Sequence, residues 1–139
     1  MALPASFGEV QVKFSSLYTA VLSKYDLSLP QYAVLNMLEN AGSITMTEMS
    51  RRLHISKPAV THLVDRLEAG GFVKRGTDSG DRRVYRLEIK PRGKKIVAAI
   101  RSVVLERTLV RAFRDFSPAE RGHIEKFFER LTRYLDQVL

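Results

Sequence analysis

The sequence predicts a mainly α-helical fold with one small β-hairpin. Apolar residues recur at steps of three and four through most of the 139 residues, which is the periodicity of helices that bury one face. Three Ser/Thr-x-x-Glu/Gln motifs, which begin at Ser28, Thr45 and Ser117, mark the starts of helices. Residues 72–89 depart from this pattern, because two short runs there flank a turn rich in Gly, Asp and Ser.

Both ends of the chain are predicted to be helical. Residues 1–25 contain an apolar stripe of about five turns. Residues 91–139 contain two further helices, one that begins at Pro91 and one that follows Ser117. These helices carry more apolar surface than the small central segment can cover. We therefore predict that 1–25 and 91–139 are dimerisation helices within a single domain, with packing on their own protomer as the alternative.

The central segment, residues 28–90, is predicted to contain three short helices followed by the hairpin. The first helix follows Ser28, and the second follows Thr45. The third, residues 57–69, follows Ser56 and is ended by a pair of glycines. Its predicted buried residues are Val60, Leu63, Val64 and Leu67. Helix, short turn, helix and two-stranded hairpin together make a winged helix-turn-helix.

The charge of the chain favours a polyanionic partner, with nucleic acid ahead of acidic lipid. Lys and Arg number 23 against 15 Asp and Glu, which gives a formal net charge of +8. A charged, solvated face is the alternative interpretation of such runs. The positive residues of the central segment fall in two groups: Arg51, Arg52, Lys57 and Arg66, then Lys74, Arg75, Arg82, Arg83 and Arg86.

The helix at 57–69 has the properties of a DNA-reading helix. The major groove of B-DNA is about 12 Å wide and admits one α-helix. Such a helix must bury one side and present polar groups on the other. The polar side here carries Lys57, Thr61, His62, Asp65 and Arg66. The hairpin tip adds Arg82 and Arg83, of which either one suits a narrow, negative minor groove.

Residues 29–93 closely resemble the MarR family of bacterial transcription regulators. Each matching fragment is short, but all of them occur in the order and spacing of the family. The Asp-x-Arg of the hairpin is similar to the wing signature of the family. The matching fragments are Leu29–Leu35, Ser56–Thr61, Leu63–Glu68, Gly71–Val73, Asp81–Arg83 and Gly93.

The resemblance implies a homodimer in which two winged domains read a pseudopalindromic operator in double-stranded DNA, with repression as the usual outcome. It also implies that a small aromatic or phenolic molecule can release the protein from DNA. It further implies that Asp65 and Asp81 support the wing, with Asp65 paired to Arg83. The implied DNA-binding residues are Ser56, Lys57, Pro58, Thr61, His62, Arg66, Arg82 and Arg83.

The sequence contains no pattern that predicts an enzyme or a cofactor. It has no cysteine, no His-Glu-x-x-His and no Gly-rich phosphate loop. Its histidines, His54, His62 and His123, lack metal-ligand spacing, so no metal is expected. No signal peptide or membrane span is expected either, and the predicted location is the cytoplasm, on the nucleoid. Two other functions stay open: a non-specific architectural DNA-binding protein, and a winged-helix module that binds protein.

Overall fold

The computed structural model describes residues 3–78 and 80–139, and the side chains of Asp78 and of residues 81–84 lie outside that description. Helices dominate, with three short strands. In chain order the elements are α1 (Ser6–Ser23), α2 (Leu29–Ala41), β1 (Ser43–Thr45), α3 (Met46–Leu53), α4 (Lys57–Ala69), β2 (Val73–Asp78), β3 (Asp81–Ile89), α5 (Pro91–Arg101), a π-helical segment (Ser102–Val110), α6 (Arg111–Arg114) and α7 (Pro118–Val138). The predicted mainly helical fold with a hairpin wing is confirmed.

The chain divides into two compact units, residues 1–104 and residues 105–139. The first contains α1 to α5 and the three strands, and the second contains α6 and α7. None of the helices in the described ranges has the length and apolar character that a membrane crossing requires.

The strands form one antiparallel sheet in the order β1-β3-β2. In the hairpin, Val73 lies opposite Ile89, and the two strands have six and nine residues. Strand β1 is not predicted by the sequence at all. It has three residues, and its partners are more than forty positions away, with Ile44 opposite Leu87. Local sequence patterns carry no signal for so short a strand with such distant pairing.

The core of the first unit lies between α2, α4, α5 and the sheet. In α4, Val60, Val64 and Leu67 are fully buried, as predicted. Leu63, which we also predicted to be buried, is only half-buried, because it lies at the edge of that stripe. The other fully buried side chains include Val34, Leu35, Leu38, Met49, Leu87, Ile100 and Val104.

Side-chain caps explain where the helices begin. In α2, the Gln31 N–H donates to the Ser28 Oγ over 3.2 Å, and the Ser28 N–H donates to the Gln31 Oε1 over 2.8 Å. Ser117 and Glu120 form the same reciprocal pair at α7. Both helices begin at the predicted residues, and each capping box satisfies two N–H groups that a helix leaves unpaired.

The capping box predicted at Thr45, at the start of α3, is only half formed. The Glu48 N–H donates to the Thr45 Oγ1 over 3.1 Å, as expected. The Glu48 carboxylate does not return to the Thr45 backbone, because it binds Arg51 and Arg52 instead. The cap therefore starts the helix, while the acidic side chain is available to the two arginines.

The helical stretch after Pro91 is interrupted in a way the sequence does not indicate. Helix α5 begins at Pro91, and Lys90 supplies no side-chain cap. Residues 102–110 then adopt π-helical geometry before α6. In α7, whose residues are all described, no side chain is buried. Its large exposed apolar residues are Phe127, Phe128, Tyr134, Leu135 and Val138.

Candidate nucleic-acid interface

Helix α4 begins at a well-defined cap. Ser56 has extended backbone angles, and its Oγ accepts a hydrogen bond from the Ala59 N–H over 3.3 Å. Pro58 occupies the first turn, where its missing N–H has no helical partner to lose. These features fix the first turn of α4, which is the part of a recognition helix that approaches base edges.

The predicted DNA-facing residues of α4 lie on its solvent side. Thr61 is half-buried, and its hydroxyl donates to the Lys57 carbonyl over 3.1 Å, one turn earlier. Lys57 and Thr61, like Pro58 and His62, are four residues apart and so share a face. The exposed members of the set are Ser56, Lys57, Pro58, His62 and Arg66.

A groove of about 340 Å³ lies beside the start of α4, and we call it the α4 groove. It brings the predicted residues Lys57 and Thr61 together with side chains from α3 and from both hairpin strands. Tyr85 on β3 is one of these, and half of its surface is exposed. The residues of the α4 groove are Thr45, Met46, Thr47, Lys57, Thr61, Arg75 and Tyr85.

Arg75 joins β2 to α4. Its guanidinium donates to the Asp65 carboxylate and lies 3.5 Å from the Glu68 Oε1, while its backbone N–H donates to the Glu68 Oε2 over 3.1 Å. The hydrogen bond to Asp65 is the main cause of the raised pKa of Arg75. Arg75 thus balances the negative charges of Asp65 and Glu68, which lie next to the predicted DNA-facing residues of α4.

The sequence does not reveal the role of Arg75. The family resemblance instead implies a pair between Asp65 and Arg83. In the described residues Asp65 pairs with Arg75, and the Arg83 side chain lies outside them. Arg75 does belong to a basic cluster of the sequence. The spacing of residues along the sequence does not predict the partner of Arg75, because the turn at Gly70 and Gly71 brings β2 back along α4.

The turn between α4 and β2 is held by close packing. Gly71 has a φ of 76°, which a residue with a side chain rarely adopts. The Arg92 guanidinium lies 4.8 Å from the centre of the Phe72 ring and donates to the Gly70 carbonyl over 2.8 Å. A Cβ on Gly93 would lie 2.4 Å from the Phe72 carbonyl oxygen, so only glycine fits there.

On α3, Glu48 binds both neighbouring arginines. Its Oε1 accepts from Arg51 over 2.6 Å and from Arg52 over 2.8 Å, and its Oε2 accepts from the Arg51 Nε over 3.1 Å. These bonds, first the one from Arg51, lower the pKa of Glu48 from 4.5 to about 2. The carboxylate is therefore charged over the whole physiological pH range.

The wing is anchored to the rest of the sheet. The Lys74 Nζ lies 3.2 Å from the Glu88 carboxylate across the hairpin, and Arg86 donates to the Ser43 Oγ over 2.9 Å. The side chains of the predicted wing residues Asp81, Arg82 and Arg83 lie outside the described residues. Their backbone begins strand β3, next to the hairpin turn.

Within the described ranges, no group of three or more His, Asp or Glu is arranged to hold a metal.

Comparison with known proteins identifies the family. A family profile described as MarR family matches residues 25–84. The HTH-type transcriptional regulator YsmB of Bacillus subtilis (strain 168) is 31% identical over 113 residues, which cover 80% of this chain and 75% of YsmB. YfiV of the same organism is 32% identical over 115 residues, which cover 83% of this chain and 71% of YfiV.

The fold agrees with that relationship. A mutant of MepR from a multidrug resistant S. aureus clinical isolate has a TM-score of 0.83 at 19% identity, and the match covers 97% of this chain and 99% of that one. A mutant of E. coli MarR, crystallised with operator DNA, has a TM-score of 0.67 at 23% identity, and the match covers 90% of this chain and 89% of that one. Members of this family are transcription regulators and not enzymes. The chain therefore belongs to the MarR family of DNA-binding transcription regulators.

Proposed function

We propose that this chain is a homodimeric repressor that binds a pseudopalindromic operator in the cytoplasm, on the nucleoid. The observation that carries the proposal is the exposed polar side of α4, which starts at the Ser56 cap and is tied to the hairpin through Arg75. A capped helix beside a firmly attached hairpin can enter the major groove while the hairpin reaches the neighbouring minor groove.

The proposed contacts divide into two groups. The α4 residues read bases and phosphates in the major groove: Ser56, Lys57, Pro58, Thr61, His62 and Arg66. Arg82 or Arg83 enters the minor groove from the wing, with Asp65 and Asp81 in support. The operator complex of the E. coli MarR mutant, a structural neighbour, is a precedent for DNA binding by this fold.

Dimer formation is proposed from the apolar surfaces at the two ends of the chain. On α7, Phe127, Leu131, Tyr134, Leu135 and Val138 follow helical spacing and lie on one side. Tyr134 is 63% exposed and Val138 is 85% exposed. On α1, the exposed apolar residues include Phe7, Val10 and Val12. Apolar surface of this extent is typical of an interface between subunits.

Release by a small aromatic or phenolic effector is part of the proposal. A cavity of about 520 Å³ beside α1 and the start of α2 has the size of small-molecule sites. Its lining is mostly apolar and includes Tyr18, Leu22, Leu27 and Leu29. An effector that binds there can release DNA only if it favours the free conformation over the bound one. Displacement of labelled operator by benzoate, phenol and their simple derivatives tests this part.

The main experiment measures operator affinity against salt for the wild type and for Arg83→Ala. The operator is a duplex selected by the wild-type protein from a random pool. We expect Arg83→Ala to weaken binding by about 1–3 kcal/mol. Binding by the wild type should fall steeply with salt, since phosphate contacts release counterions.

The same experiment separates the alternative functions. Equal affinity for selected and scrambled duplexes would indicate a non-specific architectural protein. Absence of binding to any duplex at low salt would indicate a winged-helix module that binds protein. Unchanged affinity in Arg83→Ala would remove the minor-groove contact of Arg83 from the proposal.

A further inference from the structure

Glu48, Arg51 and Arg52 form a charged cluster on α3, which we call the α3 cluster. Arg51 binds the Glu48 carboxylate through two nitrogens, over 2.6 and 3.1 Å, and Arg52 binds it through one, over 2.8 Å. Two parallel N–H···O bonds fix the plane of a guanidinium as well as its position. The three residues belong to one eight-residue helix.

One member of the α3 cluster, Arg51, lies on the face of α3 that borders the α4 groove. Thr47 lines that groove together with Lys57 and Thr61 of α4. Arg51 is four residues after Thr47, so the two side chains share a face of α3, one turn apart. The Arg51 side chain is 72% exposed, whereas that of Glu48 is 33% exposed. In helix-turn-helix proteins the first helix crosses the phosphate backbone while the second lies in the major groove.

We propose that Glu48 is a positioning residue that determines specificity for DNA: it holds Arg51 and Arg52 in one arrangement and weakens their attraction to unselected duplexes. The proposal rests on the DNA-binding function proposed above. An arginine has five N–H donors, so one guanidinium can bind a carboxylate and a phosphate together. A phosphate gains those bonds only at the position that the fixed guanidinium defines.

The charge of Glu48 also acts at longer range. Two arginines and one glutamate give the α3 cluster a net charge of +1, where the arginines alone would give +2. Non-specific attraction to DNA follows net charge and counterion release, with little dependence on geometry. Glu48 therefore lowers non-specific binding more than it lowers binding to a duplex whose phosphates fit the cluster.

The test compares Glu48→Gln with a matched control, Glu9→Gln. Gln at position 48 keeps the length of the side chain and one oxygen acceptor, but it removes the charge. Glu9 pairs with Lys13 over 2.8 Å on α1, so its replacement removes a carboxylate from another pair within a helix and changes the net charge by the same amount. The probes are a duplex of about 30 bp selected by the wild type and a scrambled duplex of the same composition, each titrated between about 50 and 200 mM KCl.

We expect Glu48→Gln to bind the scrambled duplex about three- to tenfold more tightly than Glu9→Gln at low salt. Its log–log salt slope should be steeper by about 0.9, the value for one additional phosphate contact. The ratio of selected to scrambled affinity should fall. Equal affinities and equal slopes in the two variants would overturn the proposal. A lower melting temperature with an unchanged slope would also overturn it, because that result describes a residue that only stabilises α3.

Failure of this proposal is distinguishable from failure of the proposed function. If the wild type binds neither duplex at low salt, the DNA-binding function itself is wrong. If the wild type prefers the selected duplex while Glu48→Gln behaves like Glu9→Gln, only the role of Glu48 is wrong.

Discussion

Single residues decide how closely the turn after α4 packs against α5. Gly93 is in α5, and a Cβ built there would lie 2.4 Å from the Phe72 carbonyl oxygen and 2.7 Å from the Ile89 Cγ1. The Phe72 carbonyl oxygen belongs to the backbone, so it cannot move away from a Cβ as the end of a flexible side chain can. The glycine therefore allows α5 to approach the first residues of the hairpin, which hold the wing.

Gly93→Ala is expected to destabilise the protein by about 1–3 kcal/mol, as overpacking typically does. Gly76→Ala is the matched control, because a Cβ there would meet nothing within 4 Å. Urea unfolding followed by circular dichroism measures both variants. Equal stability of Gly93→Ala and the wild type would show that α5 can shift without cost.

The ion pairs of Glu48 make a specific contribution to the pH dependence of stability. The folded pKa is about 2, below the ordinary 4.5 of the unfolded chain, so the stabilisation is fully present above pH 4.5. It is lost as the pH falls through about 2, because both states then bind the proton. Wild type should therefore be more stable than Glu48→Gln at neutral pH, and the difference should fade as the pH drops from 4.5 to about 2. Urea unfolding at a series of pH values is the measurement, and a difference that stays constant over that range would contradict this assignment.

At the scale of elements, Arg75 on β2 joins the hairpin to α4, the proposed recognition helix. From its position on β2, Arg75 balances the negative charges of Asp65 and Glu68 on α4. The distance between a helix in the major groove and a hairpin in the minor groove depends on such a connection. Loss of the connection should therefore affect DNA binding more than it affects folding.

Arg75→Met is expected to weaken operator binding by about 1–2 kcal/mol, because two uncompensated carboxylates then face the phosphates. The loss of stability should stay below about 1 kcal/mol, the usual value of partly exposed ion pairs. Lys74→Met removes the same charge from the neighbouring residue, which pairs with Glu88 instead, and serves as the control. Fluorescence anisotropy gives the affinities. Equal losses in the two variants would show that only net charge matters.

The elements that the sequence predicts correctly are those whose signals are local. The starts of α2, α4 and α7 follow from Ser28, Ser56 and Ser117, because caps act within one helical turn. Strand β1 and the Arg75 pair were not predictable, since both depend on residues brought together by the fold. The predicted DNA-facing set on α4 lies on its solvent side, but contact with DNA stays a prediction.

At the scale of the whole molecule, the proposed reading of a pseudopalindromic operator requires two copies of the chain. One α4 can contact one major-groove segment, and a pseudopalindromic site offers two such segments one helical turn apart. The exposed apolar side of α7 provides a surface on which a second copy can assemble. Dimerisation and specific DNA binding are therefore expected to be lost together.

Leu135→Glu is expected to yield a monomer, because it places a charge within the apolar stripe of α7, where Leu135 is half exposed. Gln137→Glu adds the same charge at an exposed position outside that stripe. Light scattering gives the mass of each variant. A dimer that persists in Leu135→Glu would exclude this face of α7 from the interface.

Paired reading of DNA by α4 and the wing is best examined by hydroxyl-radical footprinting of the wild-type protein on a duplex that it has selected from a random pool. We expect two symmetric zones of protection about 10 bp apart, one for each α4 and its adjoining wing. A single zone without symmetry, or uniform protection along the duplex, would contradict paired reading.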